Sequence, residues 1–294
     1  MRVVVTGASG YVGSATVAKL CRSGHSVVAI ARHKPAEPMA SGVTWVPGDI
    51  RHMDLVRAFD GAQAVVHLIG IIREVPQSGI TFEWMHVGAT ERVLVAMRAA
   101  GISRLIHMSA LGTRRAAASQ YHRTKWEAEQ LVRSQAGVKS TILRPSLMFG
   151  GAPPFFEMLK SLAQLPRVPV PGDGRTLFQP VSVHDVATLI LETLPDNSSF
   201  DLTLEVGGPE RFTLNQLFDG MARRIGRPHP PKIHLPLGMV GAVARLSSIL
   251  PVPITPDQLA MLTEPNVTDD DTWHRWVPAP ESFSSWNAKE DPHR

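Results

Sequence analysis

The chain has 294 residues, 44% of them hydrophobic and 19% charged, with a net charge of +4. That length buries one large core or one and a half, and the balance excludes a disordered chain. No apolar stretch reaches the roughly 18 residues of a spanning helix, so a transmembrane segment is not expected. The basic concentration Arg223, Arg224 and Arg227 falls in a predicted helix without interleaved aromatics, which reads as a solvated face and excludes nucleic acid as a partner. Cys21, the single cysteine, is placed in a helix facing the core, and no leader with a cleavage site is seen. A reducing, cytoplasmic compartment is therefore expected. The twelve histidines show no metal-ligand spacing, and no metal site is expected.

The chain opens with R-V-V-V-T-G-A-S-G-Y-V-G over Arg2 to Gly13. Its β-branched run ends at Gly7, and a helix-compatible segment runs from near Gly10 toward Cys21, giving strand, tight turn and helix. Three glycines at this spacing let the backbone turn sharply and let a pyrophosphate approach bare amides at a helix N-terminus. Gly7, Ser9, Gly10, Tyr11 and Val12 are accordingly candidate dinucleotide contacts. Strands follow at Ser26 to Ala31, Val43 to Val46 and Ala64 to Ile69, the last two separated by a helix over Met53 to Phe59. A long helix from about Phe82 to Ala100, ended by Gly101, leads to a strand at Arg104 to Met108. A helix over Tyr121 to Gln135 then leads to a strand at Ser140 to Leu143. Strands alternating with helices imply right-handed β-α-β units, hence an α/β, doubly wound parallel sheet of the Rossmann kind.

Beyond Gly150 the character shifts, because Pro153, Pro154, Pro166, Pro169, Pro171 and Pro180 interrupt the chain around a helix from Phe155 to Leu165. Residues 1–150 are read as the nucleotide-binding domain and 151–294 as a smaller C-terminal region, with about 176–206 returning to the sheet. Val181 to Leu194 reads as that return to the sheet layer, followed by a strand near Thr203 to Val206. Thr213 caps a helix running to Ile225. Leu237 to Leu250 is a strongly apolar helix with two readings, packing within the protein or a peripheral contact with membrane or partner. Trp273, Trp276 and Trp286 lie in a tail without clear periodicity.

In this fold the end of the second strand meets the adenosine ribose, where a carboxylate bonds the 2′-hydroxyl. Here that end is Ala31-Arg32, with His33 and Lys34 after it, and no acid is available. Arg32 suits a 2′-phosphate, so NADP(H) is favoured over NAD(H). Asp49, beside Ile50 after the third strand, either touches the adenine edge or is a turn residue. Ser109 ends the fifth strand, and Tyr121 and Lys125 lie one turn apart on one helix face. An ammonium beside a phenol favours the phenolate, so Ser109 could hold a substrate oxygen while Tyr121 passes the proton in hydride transfer between carbonyl and alcohol.

The motifs Thr6-Gly7-x-x-Gly10-x-x-Gly13, Gly48-Asp49, Tyr121-x-x-x-Lys125, Arg144-Pro145-x-x-x-Phe149-Gly150 and Val183-His184-Asp185-Val186-Ala187 resemble the extended and atypical short-chain dehydrogenase/reductases over roughly residues 1 to 265. Within that group, His107-Met108-Ser109-Ala110-Leu111-Gly112, Phe178-Gln179-Pro180-Val181 and Gly207-Gly208-Pro209-Glu210 resemble the bacterial relatives of the nucleotide-binding accessory subunit of respiratory complex I. The resemblance implies bound NADPH and a role in complex I or ubiquinone biosynthesis, catalytic or structural, on the cytoplasmic side and peripheral at the inner membrane. It also implies that Leu68, Ile69 and Gly70 line the nucleotide and that Arg144 and Pro145 lie near its nicotinamide end. The chain departs from its sugar-nucleotide relatives in two places. Phe178 stands where they place an arginine for the substrate diphosphate, and His86 stands where the wider family has asparagine. His86 serves either a proton relay or a polar pocket, whereas His67 and His107 read as core histidines. Phe149, Phe155, Phe156, Leu177 and Phe178 read either as an apolar substrate pocket, suited to an aromatic or isoprenoid compound such as a quinone, or as inter-domain core.

Overall fold

Short runs of Val, Ile and Leu bounded by glycine turns form a central sheet, and the computed structural model describes residues 1–32, 41–151, 153–246 and 254–288. His33 and Lys34 fall outside the described residues. The first half alternates β1 (Arg2–Thr6), α1 (Tyr11–Arg22), β2 (Ser26–Ala31), β3 (Val43–Pro47), α2 (Leu55–Ala58), β4 (Ala64–His67), α3 (Ala89–Ala99), β5 (Arg104–Met108), α4 (Gln120–Ser134) and β6 (Lys139–Pro145). The second half contributes β7 (Met148–Phe149), α5 (Pro154–Ala163), β8 (Val168–Pro171), β9 (Leu177–Phe178), β10 (Val181–Ser182), α6 (Val183–Thr193), β11 (Leu202–Val206), β12 (Phe212–Thr213), α7 (Leu214–Arg224), β13 (Lys232–Leu235), α8 (Leu237–Arg245), α9 (Pro256–Thr263) and α10 (Phe283–Ala288).

Seven strands pair in the order β11-β6-β5-β4-β1-β2-β3, all parallel. The order reverses between β1 and β4, and a ligand groove in such sheets lies at the strand ends beside that reversal. Alternate residues of each strand feed two cores. Val3, Val5, Val66 and Ile106 face α1 and α6, whereas Val4, Val65, Leu105 and Ile142 face α2, α3 and α4. A third core joins α5, α7, β8 and α10 around Phe149, Phe156, Phe218 and Phe283.

The segment Val181 to Leu194 returns to the sheet layer mostly as a helix. Val181–Ser182 pairs briefly with β7, and then the Ser182 hydroxyl accepts from His184 N–H and starts α6, which packs against α1 on the sheet face. Its four-residue apolar spacing buries Val186, Leu189 and Ile190 together, the helical period. The long third helix begins as a π-helical stretch, Glu83–Gly88, before it becomes α3. α8 ends at Arg245, and residues 247–250 of the predicted apolar helix lie outside the described residues. It buries Val240 and Ala244 and contacts α9, while Leu237, Met239, Val243 and Leu246 are exposed. No helix of the described residues is long and apolar enough to cross a membrane.

Candidate active site

The glycine loop after β1 closes on itself, Gly10 N–H donating to Gly7 C=O at 2.9 Å. Gly7 has φ +73°, and a Cβ there would lie 3.2 Å from the backbone of Leu68 and Ile69, so the β1 and β4 loops approach backbone to backbone. A Cβ on Gly13 would lie 2.1 Å from Gly7 C=O. α1 starts at Gly10 with no side chain capping it and no acid in its first turn, leaving the first N–H donors and the positive end of the helix to the loop. These features fit a dinucleotide's pyrophosphate. Ser9 and Gly70 are exposed at this groove, and Val12, Leu68 and Ile69 are half-buried around it. Tyr11 reaches across it, its hydroxyl donating to Gly150 C=O at 2.8 Å.

Arg32 is exposed at the end of β2. Asp49 sits in a turn whose carboxylate takes the Arg51 guanidinium at 2.6 Å and the Arg51 N–H at 2.9 Å, and that arginine holds its pKa down at about 2. These are the contacts of a turn residue. The neighbouring Ile50 side chain is buried in the α2 and α3 core.

α4 is capped by Ser119 and brings Tyr121 and Lys125 to the ends of β4 and β5. Lys125 Nζ donates to Met108 C=O at 2.8 Å and lies beside Gly70. Burial lowers its pKa to about 8, against the pull of Glu129. The phenol of Tyr121 behaves opposite to the expectation from spacing, since burial pushes it up to about 12, while the Lys125 ammonium is bonded to Met108 C=O. Its hydroxyl has no hydrogen-bond partner among the described residues.

His86 is 1% exposed and tied on both ring nitrogens. Ile71 N–H donates to Nε2 at 3.2 Å, and Nδ1 lies 2.9 Å from the Thr124 hydroxyl, which itself donates to Gln120 C=O at 3.0 Å. These partners assign the proton to Nδ1, and burial with Lys125 nearby holds the ring neutral. A histidine so tied fills a polar pocket, and no relay is left to its nitrogens.

Ser109 Oγ donates to Glu129 Oε1 at 2.6 Å, and Arg144 grips the same carboxylate through Nε at 2.8 Å and Nη2 at 2.7 Å. Arg144 is thus turned onto Glu129. Glu129, not among the candidate site residues of the sequence, lies 20 residues from Ser109, a pairing no local spacing reveals.

A cavity of about 330 Å³ opens on Ser109 and Tyr121. Pro145, Leu147, Met148, Phe155 and Phe178 form much of its wall. Phe149 is not among them, because it is fully buried in the third core, 5.5 Å from the Phe283 ring and 5.3 Å from Trp286. Phe156 is likewise core, and Leu177 is exposed. His86 stands outside the wall, in its own hydrogen-bonded pocket. The sequence reading missed His122, Gln258, Met261, Leu262 and Asn266, all on the cavity. Asn266 is tied by Ser146 at 2.6 Å and by Leu147 N–H at 3.1 Å, long-range contacts with no signature in spacing.

A model described as the NAD dependent epimerase/dehydratase family matches residues 3–203. The Arabidopsis thaliana mitochondrial NADH dehydrogenase [ubiquinone] 1 alpha subcomplex subunit 9 is 32% identical, over 91% of this chain and 69% of its own. The Mus musculus subunit of the same name is 30% identical, over 84% and 67%. Among solved structures, a Staphylococcus aureus nucleoside-diphosphate-sugar epimerase superposes with TM-score 0.79 at 14% identity, over 98% of this chain and all of the other. UDP-glucuronic acid 4-epimerase from Bacillus cereus, solved with UDP-glucuronic acid and NAD, gives 0.75 at 18%, over 98% and 96%. The parallel sheet, the glycine cradle and the Tyr121–Lys125 turn are therefore those of the NAD dependent epimerase/dehydratase family, to which this chain belongs as a relative of the complex I alpha-subcomplex subunit 9 proteins.

Proposed function

We propose that the protein binds NADP(H) along the β1–β4 groove and is an oxidoreductase acting on an apolar alcohol, carbonyl or quinone-pathway compound. The observation that carries this reading is the apolar cavity opening on the free Tyr121 hydroxyl. Gly7, Ser9, Gly10, Tyr11 and Val12 would hold the pyrophosphate, with Leu68, Ile69 and Gly70 on the opposite side. Arg32 would pair with the 2′-phosphate, and no carboxylate competes with it at the end of β2. The bound nicotinamide supplies or accepts a hydride. Tyr121, kept protonated by burial, would hold or move the proton at the substrate oxygen, while Lys125 would orient the nicotinamide ribose and Pro145 close its end of the groove.

A sugar nucleotide suits the cavity poorly. Phe178 is 3% exposed and lines the wall where an arginine would neutralise a diphosphate. A second reading is favoured by the 32% identity to a complex I subunit. In it NADPH stabilises a non-catalytic accessory or assembly protein, peripheral to a membrane on the cytoplasmic side, and the exposed apolar side of α8 belongs to that contact.

The test is to follow the reduced nicotinamide absorbance with alkyl ketones and quinones. Tyr121→Phe is expected to retain NADPH and to lose turnover by about 100-fold or more. Arg32→Ala is expected to weaken NADPH by about tenfold and NADH little. NADPH that stays bound and inert in the wild type supports the accessory role. Equal losses for the two nucleotides in Arg32→Ala overturn the 2′-phosphate assignment.

A further inference from the structure

We infer that Glu129 fixes Ser109 as a hydrogen-bond acceptor toward the cavity, so that the site selects an apolar ligand presenting a hydroxyl over its carbonyl counterpart. The inference rests on the cavity being the substrate site and narrows which substrates it takes. Glu129 is fully buried, and every donor around its carboxylate points inward: Arg144 twice, at 2.8 and 2.7 Å, and Arg133 at 3.5 Å. A carboxylate paired in this way has no proton to give and only accepts. At the 2.6 Å separation of Ser109 Oγ from Glu129 Oε1 one oxygen must donate, and it is the serine. A serine has one proton, and here it is spent on Glu129. With that proton spent, the 3.3 Å contact between Ser109 Oγ and Thr113 Oγ1 leaves the threonine hydroxyl to donate to one of the serine's two lone pairs. What Ser109 shows the cavity is a lone pair.

A ketone oxygen is also only an acceptor, so against Ser109 it places lone pair against lone pair in a desolvated site. An alcohol or hydroquinone brings the missing proton, and its oxygen can still accept from the unpartnered Tyr121 hydroxyl. Ser109 is then the specificity-determining contact, and Glu129 is a positioning residue that acts through it.

The test uses the full chain with NADP⁺ and calorimetric titration of two probes that cannot react under those conditions. The probes are a tertiary alcohol, 2-methyl-2-decanol, which has no carbinol hydrogen, and 2-undecanone, for which no hydride is available. The alcohol is expected to bind about tenfold more tightly, the scale of one hydrogen bond gained against one forbidden. Ser109→Ala, a small change at a packed site, should bring the two affinities within about twofold of each other. In Glu129→Gln the amide NH₂ can donate to Ser109, which frees the serine proton for the cavity and shifts the preference toward the ketone. Equal affinities in the wild type, a ketone preference, or an alcohol preference that survives Ser109→Ala overturns the inference, while binding of either probe leaves the apolar-site reading standing. Binding of neither overturns both.

Discussion

His107 stands on β5 at 1% exposure with neither ring nitrogen bonded among the described residues. His67, opposite it on β4, shares one hydrogen bond with the Thr6 hydroxyl at 2.7 Å and leaves Nε2 unpartnered. Both rings are kept neutral by burial, with Lys125 adding to the effect, and His67 falls from 6.5 to about 3. Above pH 6.5 neither the folded nor the unfolded chain holds these protons, so stability is unaffected there. As pH falls below 6.5 the unfolded chain takes protons that the fold refuses, and stability declines until about pH 3 for His67. By pH 5 the loss is about 2 kcal/mol for His67. Lys125 contributes none of this, since its folded value of about 8 places its window between 8 and 10.5. Replacing an unsatisfied buried ring by an apolar side chain of similar size removes a desolvation cost, so His107→Leu is expected to raise the urea midpoint at neutral pH and to flatten its fall toward pH 5. A lowered midpoint at both pH values would show that the ring nitrogens are held after all. The sequence placed these histidines in the core because each sits among apolar strand residues. It could not give the Tyr121 shift or the Ser109–Glu129 bond, because desolvation and a 20-residue separation leave no trace in local spacing.

The meeting of β1 and α1 is where one element most constrains another. α1 can approach the strand end only because Gly13 has no side chain, and a Cβ there would lie 2.8 Å from Ala8 Cα as well as colliding with Gly7 C=O. Gly13→Ala should push the helix N-terminus off the loop, lower the melting temperature and abolish nicotinamide-nucleotide binding together. Full nicotinamide-nucleotide affinity in that variant, measured by fluorescence titration, would mean the loop has another arrangement open to it. This element was legible because strand, glycine turn and helix are all local. The helical form of α6 was less legible, since β-branched Val181, Val183 and Val186 flank its start and only the burial period of Val186, Leu189 and Ile190 marks it as a helix. The π-helical start of the third helix was equally hidden. It carries His86 inward to Ile71 and Thr124, and both are tertiary partners.

At the scale of the molecule, the chain's two regions are joined by contacts that cross most of its length. Ser146 bonds Asn266 at 2.6 Å, and the tail after residue 267 serves two cores at once. Phe283 and Trp286 pack with Phe156 in the third core, where Arg224 lies 4.3 Å over the Trp286 ring. Trp273 is fully buried in the first core with Val277, beside β11 and the α6 face of the sheet. In the sequence the tail tryptophans have no period, because Trp273 and Trp276 pack on the first core and Trp286 on the third. The central sheet therefore depends on a residue far outside the nucleotide-binding motifs. Truncating a buried tryptophan leaves a cavity and costs about 3–5 kcal/mol, a large part of a domain's stability. Trp273→Ala is expected to move the urea transition of the whole protein, read by far-ultraviolet circular dichroism, and to move release of an added nicotinamide nucleotide with it as one step. If nucleotide binding instead survives through a first transition that removes only the C-terminal signal, the tail is a separable layer and the sheet stands without it.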